Sequence, residues 1–116
     1  MPSNDPVQRL EDIRANVARI RAHVEGMDEA AFLRDAKTQD AVERCIERIA
    51  EAARKLGETF DRDYPNLDLP ALRRLGSVLR HDYDGVQPAL LWGFVGNRLG
   101  PLEEMARAEL GRLAGG

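Results

Sequence analysis

One stretch of the sequence concentrates side chains that could act on a phosphodiester. Residues 73–85 read Arg-Arg-Leu-Gly-Ser-Val-Leu-Arg-His-Asp-Tyr-Asp-Gly. An imidazole can take up or release a proton near neutral pH, and a guanidinium can hold a phosphate and stabilise its transition state. In RNA the attacking 2′-hydroxyl belongs to the substrate. A histidine and an arginine would therefore be a sufficient set for RNA cleavage, with no metal or protein nucleophile.

Two arginines could serve beside His81. Arg74 precedes it by seven residues, which is about two helical turns and places both residues on one helix face. Arg80 is the immediate neighbour of His81, and Tyr83 follows two residues later. A simpler interpretation is that these are solvated charges at the C-terminal end of a helix, where cations interact favourably with the helix dipole. Spacing alone leaves both interpretations open.

The elements that must position these residues are predicted to be helices, beginning with residues 6–24. Asn4 or Asp5 would cap this first helix, with Pro6 in its first turn and Gly26 as its stop. Its apolar residues recur every three or four positions, as expected for one buried helix face. They are Val7, Leu10, Ile13, Val17, Ile20 and Val24.

Three further long helices are predicted from the same signals. They cover residues 38–56, 69–82 behind the cap Asp68, and 87–113 with a break near Gly100-Pro101. Short helical pieces are expected at 30–33, capped by Asp28, and at 58–64. No segment alternates like a strand. We therefore predict an all-α, up-and-down bundle of four main helices plus short helical segments, forming a single domain over residues 1–116.

Composition excludes several classes of function. The net charge of −3, from 17 basic and 20 acidic side chains, does not suit a protein that coats nucleic acid through bulk charge. The single Cys45 lies on an apolar stripe and is predicted to be a buried small hydrophobe. His23 and His81 are too far apart to suggest a zinc cluster, so we expect no metal or cofactor. With no apolar run of membrane-spanning length and no signal-peptide core, we expect a cytoplasmic protein.

The order of motifs along the chain resembles the HepT-like family of HEPN-domain proteins. These are the toxin halves of MNT–HEPN toxin–antitoxin pairs. The resemblance covers nearly the whole chain, including Phe32-Leu33, Tyr64-Pro65 and Trp92. Its specific parts are the string Lys37-Thr38-Gln39-Asp40-Ala41-Val42 and the His-x-Tyr pattern at 81–83.

The resemblance implies a HEPN-like helical domain that forms a homodimer and acts as a metal-independent ribonuclease on RNA, not DNA. It implies that His81 is the catalytic histidine and that Arg74 or Arg80 holds the phosphate. It also implies that Tyr83 accepts AMP from a partner MNT-type nucleotidyltransferase, which inactivates the toxin. Apolar residues that nearly circle the last helical stretch add to the expectation of a dimer; they are Leu90, Leu91, Trp92, Phe94 and Val95.

The sequence departs from the family pattern at one point. The usual branch has Arg-Asn where this chain has Gly76 and Ser77, whereas Arg74 satisfies a looser form of the motif. Glycine inside a helix is unfavourable, so we expect Gly76 to mark close helix packing, at the dimer seam. Two functions follow: a ribonuclease toxin, or a catalytically impaired dimeric module that binds and is modified by its nucleotidyltransferase. A bundle with only a structural role is the third alternative.

Overall fold

The computed structural model describes residues 5–81 and 86–115, and within these ranges every regular element is helical. In chain order, α1 spans Pro6–Val24, α2 Glu29–Leu33, α3 Ala36–Leu56, α4 Thr59–Asp63, α5 Leu69–His81, α6 Pro88–Asn97 and α7 Leu99–Gly115, with a 3₁₀ turn at Pro65–Leu67. The predicted all-α class is confirmed. None of the described helices is long and apolar enough to cross a membrane.

Aspartate side chains define where the first three helices begin. The carboxylates of Asp5, Asp28 and Asp35 each accept a hydrogen bond from the backbone N–H three residues later, at 2.8–3.0 Å. These bonds satisfy donors that a helix start leaves free. Asp5 and Asp28 are therefore the caps that the sequence predicts, and Asn4 lies outside the described residues. Because Asp35 caps α3, that helix begins two residues before the predicted Thr38.

Glycines end the two long helices of the first half. Gly26 follows α1 and Gly57 follows α3, with φ angles of +79° and +75°. A side chain at such an angle would be strained, so glycine stops the helix at little cost. The predicted stop at Gly26 is confirmed, and Gly57 directly follows the predicted end of the second long helix at residue 56.

The four main helices pack in a bundle with α1 and α3 at its centre. α1 packs against both α3 and α7, and α5 packs against α3. Arg21 near the end of α1 pairs with Glu103 near the start of α7 at 2.8 Å, so these two helices run antiparallel. The apolar face of α1 is fully buried in this core through Leu10, Ile13, Val17 and Ile20. The predicted four-helix bundle is confirmed.

The short helices close one side of the bundle. α2 packs against α6, where the ring of Phe32 lies 5.2 Å from that of Trp92. Phe32 and Phe94 are buried. Cys45 is also buried, at 2% exposure, and burial raises the pKa of its thiol.

The break in the last helical stretch lies earlier than predicted. α6 ends at Asn97 and α7 begins at Leu99, so the interruption falls at Arg98 and not at Gly100-Pro101. Pro101 lies in the first turn of α7, where its missing N–H leaves no bond unmade. A proline ring clashes with the carbonyl four residues before it, and here that residue is Asn97. Pro101 therefore causes the break, which falls at Arg98, three residues before the proline itself.

The expectation for Gly76 is corrected by the packing of α5. Gly76 is buried, and a Cβ atom placed on it would lie 2.4 Å from the Cβ of Ala50 on α3. The predicted close helix approach is present, but it joins two helices of one chain and not two protomers. The bundle places α5 directly on α3, which the sequence pattern of α5 does not reveal.

Candidate active site

Helix α5 carries Arg74 and His81, two of the predicted catalytic residues. Arg74 and His81 are both exposed, and their spacing puts them about 10 Å apart along the helix on the same face. Neither forms a hydrogen bond or ion pair with any residue in 5–81 or 86–115. Both side chains are therefore open to a bound substrate.

Apolar packing and an ion pair fix the orientation of α5. Leu69 and Leu72 are buried beneath the helix. Arg73 donates two hydrogen bonds to the carboxylate of Asp61 on α4, at 3.1 and 2.6 Å, and this contact raises the pKa of the guanidinium. With these side chains turned toward the bundle, the face with Arg74 and His81 is turned outward.

Arg80, the second candidate arginine, lies in a different environment. Its guanidinium lies 3.6 Å from a carboxylate oxygen of Glu51 on α3. Glu51 also accepts two hydrogen bonds from Arg54, at 2.9 and 2.7 Å. These bonds lower the pKa of Glu51, and the charge of Arg80 lowers it further. The two candidate arginines therefore face different neighbours: Arg74 shares its face with His81, whereas Arg80 lies beside α3.

The other described residues of the predicted motif lie in different surroundings. Gly76, where the family pattern has arginine, faces Ala50 with no room for a longer side chain. Ser77 is exposed. Tyr83, the predicted AMP acceptor, lies outside the described residues, as do Asp82 and Asp84. Among the described residues, no group of three or more His, Cys, Asp or Glu side chains could hold a metal ion.

A groove of about 600 Å³ between α1, α3 and α5 was not foreseen from the sequence. Six basic residues line it, against the acidic Asp12, Glu47 and Glu51. The basic residues are Arg9, Arg44, Arg48, Arg54, Lys55 and Arg80. The excess of three positive charges contrasts with the net charge of −3 for the whole chain. Arg44, Arg48 and Lys55 recur at helical spacing, a signal that sequence reasoning could have used.

Comparisons with known proteins identify the family of the chain. A family model described as ribonuclease HepT-like matches residues 13–109. The chain is 36% identical over 99 residues to "Putative RNase MJ0127" of Methanocaldococcus jannaschii, covering 85% of this chain and 82% of that protein. It is 35% identical over 83 residues to "Probable ribonuclease HepT" of Thermococcus cleftensis, covering 72% and 76%. No solved structure matches the chain.

Proposed function

Because the chain belongs to the ribonuclease HepT-like family, we propose that it is a metal-independent endoribonuclease. The observation that carries the proposal is that the family match runs through α5, where Arg74 and His81 share an exposed face. Relatives that match most of the chain are named as ribonucleases. The proposed substrate is RNA.

The proposed reaction is an internal transfer within the substrate. The imidazole of His81 removes the proton of the 2′-hydroxyl, and the 2′-oxygen then forms a bond to phosphorus. The bond from phosphorus to the 5′-oxygen breaks, and this oxygen takes a proton from the imidazolium. The products are a 2′,3′-cyclic phosphate and a 5′-hydroxyl. A guanidinium stabilises the negative charge that develops on the phosphoryl oxygens.

We assign the guanidinium to Arg74 ahead of Arg80. Arg74 lies on the same face as His81, and no described residue neutralises it. Arg80 already faces Glu51. Arg74→Ala should lower kcat by roughly 100-fold or more. Arg80→Ala should affect RNA binding more than kcat.

An RNA cleavage assay in the presence of EDTA tests the proposal. Wild type should cleave, and His81→Ala should lose at least about 100-fold in rate. His23→Ala is the matched control, because His23 is also exposed but lies on α1. Intact mass must be measured on every sample, so that protein carrying AMP is not scored as inactive. Equal cleavage by His81→Ala and unmodified wild type would remove His81 from the mechanism.

A second function is favoured by the packing of Gly76. Since the usual arginine position is filled by the contact with Ala50, the chain could be an impaired HEPN module that serves as the target of its nucleotidyltransferase. Co-expression with that partner should then add AMP to Tyr83, and unmodified protein should not cleave RNA. AMP transfer onto a Tyr83→Phe variant would contradict this acceptor site. In both proposals the chain is the HEPN component of a toxin–antitoxin pair.

Both functions include a homodimer of single HEPN domains. Leu90 on α6 is 53% exposed and Val78 on α5 is 41% exposed. Trp92 and Val95 on α6 are also only partly buried. This apolar surface of α5 and α6 is the proposed contact with a second copy.

A further inference from the structure

Two buried polar atoms in the groove between α1, α3 and α5 lack a partner among the described residues. Asn16 is only 7% exposed; its Nδ2 donates to the carbonyl oxygen of Asp12 at 2.8 Å, but its Oδ1 accepts nothing. The Nε of Arg9 is likewise buried without an acceptor. Both residues line the groove. Proteins rarely leave buried polar atoms unpaired, so these two indicate a group that enters from outside.

The unpaired oxygen of Asn16 specifies the chemistry of that group. The amide cannot be turned over, because the carbonyl oxygen of Asp12 accepts hydrogen bonds and must face Nδ2. Oδ1 therefore needs a donor, and an ionised phosphate has none. A ribose 2′-hydroxyl both donates and accepts, and it is the group that distinguishes RNA from DNA. Arg9 Nε could donate to an oxygen of the same nucleotide.

The charges of the groove suit the backbone of a nucleic acid. Each of its three acidic residues already faces a guanidinium, as in the pairs of Arg44 with Glu47 at 3.6 Å and Arg9 with Asp12 at 3.5 Å. Within the part of the chain that the structure describes, Arg48 and Lys55 form no ion pair. Arg48 contacts the thiol of Cys45, and the charge of Lys55 acts on Glu51. Because no carboxylate pairs with either cation, both can bind phosphates, to which the guanidinium is well suited.

The groove is long enough to hold a nucleic-acid strand and is longer than a single phosphate requires. Its lining on α3 extends from Arg44 to Lys55, which is about 16 Å along a helix. Arg80 forms its wall on α5 and directly precedes His81. A strand lying in the groove would therefore pass Arg80, the chain neighbour of the proposed catalytic histidine, on the side of α5 that faces α3.

We infer that this groove binds single-stranded RNA next to the cleavage site, with phosphates on Arg48 and Lys55 and a ribose 2′-hydroxyl on Asn16. The inference rests on the proposed function, since it assigns a path to the RNA substrate. It adds a binding surface on α1 and α3 to the residues of α5.

Fluorescence anisotropy with a labelled RNA oligonucleotide and a DNA oligonucleotide of the same sequence tests the inference. The His81→Ala background prevents cleavage during the measurement. In that background, adding Arg48→Ala and Lys55→Ala should weaken RNA binding roughly 10-fold and reduce the salt slope by roughly 1.4, for two lost phosphate contacts. Arg34→Ala with Lys37→Ala is the matched control, because it removes the same charges from exposed positions outside the groove. This control variant should bind RNA as tightly as the His81→Ala parent.

Asn16→Ala tests the 2′-hydroxyl separately. The parent should bind RNA more tightly than DNA, and Asn16→Ala should lose that preference while its affinity for DNA is unchanged. A thermal melt shows whether the Asn16→Ala variant folds. If this variant does not fold, the Arg48 and Lys55 substitutions still test the groove. Equal binding of RNA and DNA by the parent would overturn the 2′-hydroxyl contact. Equal binding by the groove variant and its matched control would overturn the groove as the RNA site.

Failure of this inference can be distinguished from failure of the proposed function. If wild type cleaves RNA and the groove variant cleaves equally well, the groove is wrong and the ribonuclease proposal stands. If RNA binds as predicted but unmodified wild type never cleaves it, the groove stands and the ribonuclease proposal is wrong.

Discussion

At the residue scale, the Tyr64–Glu109 pair is a polar contact outside the proposed site that should set part of the pH dependence of stability. The Tyr64 hydroxyl donates to the carboxylate of Glu109 on α7 at 2.5 Å, and Arg112 also donates to that carboxylate at 2.7 Å. The bond raises the pKa of Tyr64 to about 12 and lowers the pKa of Glu109. Tyr64 belongs to the family pattern, and this contact gives it a structural role.

Tyr64→Phe should lower the free energy of unfolding at neutral pH by about 1.5–3 kcal/mol, the usual value of a hydrogen bond to a charged group. The folded pKa of Tyr64 lies above its ordinary value of 10.0, so this stabilisation is complete below pH 10 and is lost as the pH rises toward 12. Urea unfolding of both proteins at neutral pH and near pH 12 measures the difference. A difference that stays constant over this range would contradict the assignment.

The residues on α5 could be predicted from the sequence, whereas those on α1 could not. Helical periodicity places His81 and Arg74 on one face, and the family resemblance predicts their catalytic roles. Asn16 and Arg9 come from a distant part of the chain, and only the packing of α1 on α3 brings them to the groove with Arg80. No local pattern carries that information.

At the scale of the elements, helix ends were more predictable than helix contacts. Asp68 caps α5 by accepting from the backbone N–H of Ala71 at 3.2 Å, a bond over three residues that sequence alone suggests. The approach of Gly76 to Ala50 depends on how two helices cross, which the spacing within either helix leaves undetermined. For this reason the close helix contact of Gly76 was predicted correctly, but its expected position at the dimer seam was wrong.

Gly76→Ala should destabilise the protein by about 1–2 kcal/mol. The added Cβ would overlap with Ala50, an overpacking cost of about 1–3 kcal/mol that the better helix propensity of alanine only partly offsets. Chemical denaturation checks this value. Gly111→Ala is the control: nothing lies within 4 Å of the added Cβ, so stability should stay the same or rise by up to about 1 kcal/mol. Ala50→Gly in the Gly76→Ala background should restore part of the loss.

At the scale of the whole molecule, the apolar stripes predicted the helical bundle, but they did not predict which apolar side chains stay exposed on it. Val78 is an apolar residue of the amphipathic helix α5, yet it is 41% exposed, and Leu90 on α6 is 53% exposed. An amphipathic pattern marks an apolar face without saying whether the same chain or another copy covers it. This surface is the physical basis for the proposed dimer.

Leu90→Asp should convert the proposed dimer to a monomer, because a carboxylate cannot be buried in an apolar contact without a partner. Sedimentation velocity at micromolar concentration measures the change. Leu33→Asp, at a 43% exposed leucine on α2, should remain dimeric. A wild-type protein that sediments as a monomer, or a Leu90→Asp variant that remains a dimer, would contradict the proposed contact.

The pairing of α1 with α7 has a consequence for how the protein is made. During synthesis α1 emerges early, but the helix that covers one of its sides is translated only after α6. Until then part of the apolar face of α1 has no cover, and chains with such exposed surface are prone to aggregation and proteolysis. A ribosome that stops before α7 would therefore release a chain that cannot complete its core, so damaged messages should yield degraded fragments in place of an active ribonuclease.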